Sequence, residues 1–114
     1  DSNQFYGMVN AGAVMVASGH TDNANSYLLP IPADAQEYVA ALLWQIKAAL
    51  ADDDEIYIKS WLNRLNKLYP SETLFANFEN MKRITFENDR VLLPAFDDHE
   101  ILVLRQLLLP RHQL

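Results

Sequence analysis

No cysteine occurs among the 114 residues, which removes disulfides, thiolate nucleophiles, zinc knuckles and iron–sulfur ligation together. Stability must therefore come from packing. Glycine is scarce, at three positions, so glycine-rich phosphate cradles have little material to work with. Long apolar runs are also missing: each is broken by Gln, Lys, Arg or Pro well before the roughly 20 residues that span a bilayer, and no membrane partner is expected. Basic residues are few as well. Nine Lys and Arg face fifteen Asp and Glu, a net charge of −6, which argues against a generic nucleic-acid coat or an anionic-membrane binder unless the bases are segregated.

What is present suits a folded domain. Half of the residues are apolar and 21% are charged, outside the range of disordered chains, and the length allows one core and no second domain. The absence of Cys suits a reducing cytoplasm, the expected compartment. The sequence opens at Asp1 with no Met, so a processed chain or a fragment of a longer one is expected.

Residues 1–33 differ from the rest. Phe5, Tyr6, Met8, Val9, Val14, Met15 and Val16 are interrupted by Gly7, Gly12 and Gly19, each costing a helix about 1 kcal/mol relative to Ala; the segment reads as a strand or a poorly capped helix. Ser18 to Ser26 carry only small and polar side chains, with Pro30 and Pro32 beyond, and read as a loop within the same domain. From Asp34 the period becomes helical. Asp34 and Glu37 have capping-box spacing, and Val39, Leu43, Ile46 and Leu50 recur on one face, predicting a central helix over 34–51. Asp52-Asp53-Asp54-Glu55 then forms a junction whose last acids open a helix over 54–69. Pro70 ends that helix, and Ser71 caps a shorter one over 72–80.

The period then changes. Ile84-Thr85-Phe86 and Val91-Leu92-Leu93 flank Glu87-Asn88-Asp89-Arg90, which predicts a β-hairpin over 84–93. Asp97 and Glu100 form another capping box, opening a last helix with Ile101, Leu104, Leu107 and Leu108 inward before Pro110. The expected fold is thus α+β and mainly α. It is one small domain with three consecutive helices, a hairpin and a C-terminal helix, resembling a winged helix, in which 34–114 form the core.

Four constellations invite chemistry. Ser18, His20 and Asp22 alternate, yet neighbours two apart on one strand point in parallel, whereas a catalytic triad converges from different elements. Within that loop, Gly19-His20-Thr21-Asp22-Asn23 resembles the signature of OmpA-like peptidoglycan-binding domains, where it ends a strand and precedes a helix. That family continues with a Tyr-Asn pair and an Arg-bearing helix that hold diaminopimelate. Here Leu28-Leu29-Pro30-Ile31-Pro32 and an Arg-free helix follow, so the likeness is confined to five residues and assigns no ligand. Asp52, Asp53, Asp54 and Glu55 offer hard oxygens but lack the alternate spacing, central Gly and distant Glu of a calcium loop. His99 with its acidic neighbours, taken with His20 and His112, shows no metal-ligand spacing. Gly7-x4-Gly12 is followed by Ala13-Val14, not Lys and Ser or Thr, so it is no nucleotide loop. No catalytic set, metal site or cofactor is expected.

Charge is the fourth. Residues 1–55 hold eight acids and one Lys, net −7, and residues 56–114 hold seven acids and eight bases, net +1. The first expectation is therefore a non-enzymatic protein-interaction module of the inhibitor, immunity or adaptor type. Asp52, Asp53, Asp54 and Glu55 would steer it to a basic partner surface, and the surplus of Trp44, Trp61, Phe75, Phe78, Phe86 and Phe96 would supply anchors or a homodimer face. The alternative is a winged-helix nucleic-acid binder using Lys59, Arg64, Lys67, Lys82, Arg83 and Arg90, against which stand the carboxylates Glu72 and Glu79 on its reading helix.

Overall fold

The computed structural model describes residues 5–81 and 91–108. They form six helices: α1 (Tyr6–Ala17), α2 (Thr21–Leu28), α3 (Tyr38–Ala51), α4 (Glu55–Leu68), α5 (Ser71–Met81) and α6 (Asp98–Leu108). Helix α3 has the composition for the centre, with Lys47 as its single charge and Ala and Leu at most other positions. It buries residues on every side, from Ala40 through Ile46 and again at Ala48 and Ala49. The α1–α2 hairpin packs on it from one direction and α4 from the other, with α6 against α4 and α5 against both.

The α+β expectation is corrected: no strand or sheet occurs among the described residues. Of the hairpin expected at 84–93, residues 84–90 lie outside them; Leu92 makes an isolated bridge, and the rest of 91–97 has neither helix nor strand. The backbone of Leu92, which a hairpin would pair with a strand, is met by helix side chains. Its N–H donates to Asn10 Oδ1 at 2.9 Å, and its carbonyl accepts from Trp44 Nε1 at 2.8 Å. Two part-buried backbone groups are thereby satisfied by side chains of α1 and α3. Among the described residues there is no strand to form a wing, so the winged-helix scheme is not supported.

The polar run after Ser18 is corrected too, because Thr21–Leu28 is a helix. Eight residues cannot sustain a helix in water by themselves, so tertiary burial must hold this one. Ala24 and Leu28, four apart on one face, are fully buried. Gly12 of α1 makes room for Leu28: a Cβ there would lie 2.6 Å from Leu28 Cδ2. Of the two readings left open for residues 5–17, the helix with a poor cap holds, since Phe5 stands at the N-cap with no side-chain hydrogen bond.

Helix α3 begins later than its capping-box spacing implies. Residues 32–38 run through successive turns, with Ala35 N–H donating to the Pro32 carbonyl and Tyr38 N–H to the Ala35 carbonyl, and Glu37 at the N-cap makes no side-chain cap bond. Nor does Ser71 act as the expected cap; it is the first residue of α5, with its hydroxyl 3.2 Å from Asn66 Oδ1. The box on α6 does form. Asp97 N–H donates to Glu100 Oε1 (2.9 Å) and Glu100 N–H to Asp97 Oδ1 (2.8 Å).

Glu100 also fastens α6 to the central helix. Lys47 Nζ donates to both of its carboxylate oxygens (2.8 and 2.9 Å) and to the Ala95 carbonyl (2.7 Å), and neither side chain of this pair is more than 28% exposed. Glu100→Gln keeps an acceptor for the Asp97 N–H but removes the charge, leaving Lys47 without its ion-pair partner. The expected cost is about 1–2 kcal/mol in urea unfolding, discounted for partial solvent access. A loss below about 0.3 kcal/mol, the level of an exposed pair, would show that Lys47 does not hold α6.

Candidate interaction surface

The two helical hairpins turn in the same way. At the end of α1, Gly19 N–H donates to the Val16 carbonyl and His20 N–H to the Met15 carbonyl; at the end of α3, Asp53 N–H donates to Leu50 and Asp54 N–H to Ala49. Each is a Schellman arrangement, whose middle residue takes the left-handed conformation. In the first turn that residue is Gly19, at φ 83°; in the second it is Asp53, at φ 55°. The side chain of the third connector residue then faces the next helix start. Asp54 accepts from Tyr57 N–H at 3.3 Å and caps α4, whereas His20 stands before α2 without a side-chain cap bond.

Thr21 Oγ1 donates to Asp52 Oδ1 at 2.9 Å, which ties the two turns together. Asp22, in the first turn of α2, is one residue from this bond, so the end of the bundle carries Asp22, Asp52, Asp53, Asp54 and Glu55. All are exposed but Asp54, which is half-buried. The one ion pair given to these acids among the described residues is Lys59 Nζ to Glu55 Oε1 at 3.3 Å, between exposed groups on successive turns, and such pairs stabilise little. Asp54 and Glu55 lie where the α4 dipole favours negative charge. Asp52 and Asp53 do not. They close α3, at the end where the dipole opposes a carboxylate, and Asp53 adds a backbone conformation that a side chain resists.

Directly after the acids come Ile56, 80% exposed, and Tyr57, 57% exposed. Two large apolar side chains thus stand in solvent beside the acidic turn. Sequence reasoning missed them because the search for anchors went to Trp and Phe. Trp44, Trp61, Phe75, Phe78 and Phe96 are all buried, and Phe86 lies outside the described residues. A signal was there to use: in α4 the inward set is Ile58, Trp61, Leu62 and Leu65, and Ile56 falls on the opposite side of that wheel.

The other sequence candidates do not converge. Ser18 Oγ donates to the Val14 carbonyl at 2.8 Å at the end of its own helix, and Ser18 and His20 on the turn and Asp22 in the first turn of α2 are all exposed. The OmpA-like pentapeptide follows a helix here, not a strand. No protein-family model, curated protein or solved structure matches the chain. Among the described residues no group of three or more His, Asp or Glu side chains is placed to hold a metal, and no helix is long and apolar enough to cross a membrane. Buried polar side chains are Glu37 and Gln45; eight residues apart on α3, they are separated by about 12 Å of helix and form no joint site. Of the basic set, Lys59 pairs with Glu55, Arg64 lies over the Trp61 ring at 4.8 Å and Lys67 is in the last turn of α4. Lys82, Arg83 and Arg90 lie outside the described residues.

Proposed function

We propose that the protein is a non-enzymatic interaction module that sets the turn Asp52–Glu55 against the basic surface of a larger protein partner, as an inhibitor, immunity or adaptor protein does. The observation that carries this reading is Asp53. A glycine at that position would relieve the left-handed backbone and a neutral residue would relieve the α3 dipole, yet an acid stands there among three others. Local rules are broken at functional sites, and the cost is offset elsewhere in the molecule. Exposed, clustered carboxylates act at long range, raising the rate of encounter with a cationic surface more than the final affinity.

The test is affinity capture from the native host, with the wild-type chain and the D52N/D53N/D54N variant immobilised side by side at low salt and the retained proteins identified by mass spectrometry. The expected result is a protein of basic surface captured by the wild type, captured less when salt is present during loading, and captured less by the variant. The same proteins held equally by both would overturn the reading.

A further inference from the structure

Several large apolar side chains are exposed, among them Val14, Leu29, Leu68 and Leu102 besides Ile56 and Tyr57, and charge distinguishes the last two. Val14, on the outward side of α1, belongs to a helix without a single charged residue, so nothing there specifies what covers it. Ile56 and Tyr57 are different, because Asp52, Asp53, Asp54 and Glu55 immediately precede them and sit on the same turn. Whatever covers this pair must also lie against those carboxylates. A second copy paired symmetrically through this turn would set acid against acid, and a nucleic acid or an anionic lipid surface would be repelled by the same field. A partner with apolar side chains flanked by Lys or Arg satisfies both halves of the patch.

We infer that Ile56 and Tyr57 are the anchor of the interface, and that their occupant is a cationic amphipathic segment of the partner protein, with an apolar side over the pair and Lys or Arg over Asp52–Glu55. This rests on the docking reading above and adds a division of labour. The acids set the rate of approach, which salt screens within a Debye length of about 8–10 Å; the apolar pair sets the residence time, which salt leaves alone. A Tyr beside an aliphatic residue is well suited to this, because its ring offers large contact area at low conformational cost and its hydroxyl remains available to water or to a partner group. The backbone N–H of Tyr57 donates to the Asp54 cap at 3.3 Å, so the backbone that carries the anchor is joined to the acidic turn at the start of α4.

Two synthetic peptides of equal length and charge test this on the full chain by fluorescence anisotropy: an amphipathic Leu/Lys helix, and the same peptide with every Leu replaced by Ser. The wild type should bind the Leu/Lys peptide at least about tenfold more tightly, the scale of a genuine hot spot. I56S/Y57S should abolish that preference while leaving the salt dependence unchanged. D52N/D53N/D54N should flatten the salt dependence for both peptides. The first two residues are exposed, so the variant is expected to keep its fold, checked by an unchanged far-ultraviolet circular dichroism spectrum. Amide resonances of residues 52–57 should shift on titration of the isotope-labelled chain with the Leu/Lys peptide. Equal, salt-sensitive binding of both peptides would remove the anchor and leave the acidic docking reading standing. Perturbations centred on α1 would also remove the anchor. No binding of either peptide at low salt would remove both.

Discussion

Replacing Phe96 by Ala should destabilise the fold by about 3–5 kcal/mol, the range for large aromatic truncations in a packed core. Phe96 is fully buried, with its ring edge-on to Phe78 at 5.2 Å, and Phe78 in turn edge-on to Phe75 at 5.7 Å. Lys47 Nζ lies 5.4 Å from the Phe96 ring centroid, so a charged group covers part of the cavity wall that truncation would open. The segment 91–97 has no helix or sheet of its own. What holds it is the burial of Leu93, Pro94 and Phe96, together with the two bonds from Asn10 and Trp44 to Leu92. A domain of this size has about 5–15 kcal/mol in total, so Phe96→Ala should bring it close to unfolding at room temperature, whereas Phe96→Leu, which keeps most of the volume, should cost much less. Urea unfolding of both variants against the wild type measures this; a loss under about 1 kcal/mol for Phe96→Ala, the typical value for an arbitrary substitution, would place Phe96 outside the core.

Gly12→Val should cost about 1–3 kcal/mol through overpacking. A Cβ at Gly12 would lie 2.6 Å from Leu28 Cδ2 and 2.7 Å from Leu28 Cγ, and Leu28, 1% exposed, has no solvent to retreat into. Gly12→Ala meets the same atoms but gains about 1 kcal/mol of helix propensity, so its net loss should be smaller. Gly7→Ala is the control. Nothing lies within 4 Å of its added carbon, and it should be neutral or slightly stabilising. If Gly12→Val and Gly7→Ala were equally benign, the close approach of α1 and α2 would be wrong, and with it the placement of Thr21 beside Asp52.

That close approach is also where sequence reasoning went astray. The helices with strong 3.6-residue periodicity, 34–51, 54–69, 72–80 and the last one from Asp97, are all present with shifts of a few residues at their ends. The Asp97–Glu100 box, and the acids that open the helix after residue 54, were readable because their chemistry is local. Helix α2 was not readable. Thr, Asp, Asn and Ser favour loops when unpacked, and Ala24 and Leu28 become informative only when a partner with a hole at Gly12 is known. Val91-Leu92-Leu93 misled in the opposite way: β-branched and apolar residues suited a strand, but no strand forms there among the described residues, and side chains of α1 and α3 bond both backbone groups of Leu92. For the interaction surface, the acids were legible from composition and position, whereas Ile56 and Tyr57 were passed over because anchors were sought among Trp and Phe. The left-handed Asp53 lies beyond any sequence pattern, since Asp occurs there in place of the Gly that usually marks such a turn.

The central claim is that the acidic turn brings the protein to its partner. Its most direct test is the association rate with the captured partner, followed by stopped flow from low to high ionic strength. The rate for the wild type should fall at least about tenfold between roughly 20 and 300 mM salt, and the rate for D52N/D53N/D54N should start lower and change little. A wild-type association rate indifferent to salt, and equal to that of the variant throughout, would contradict it.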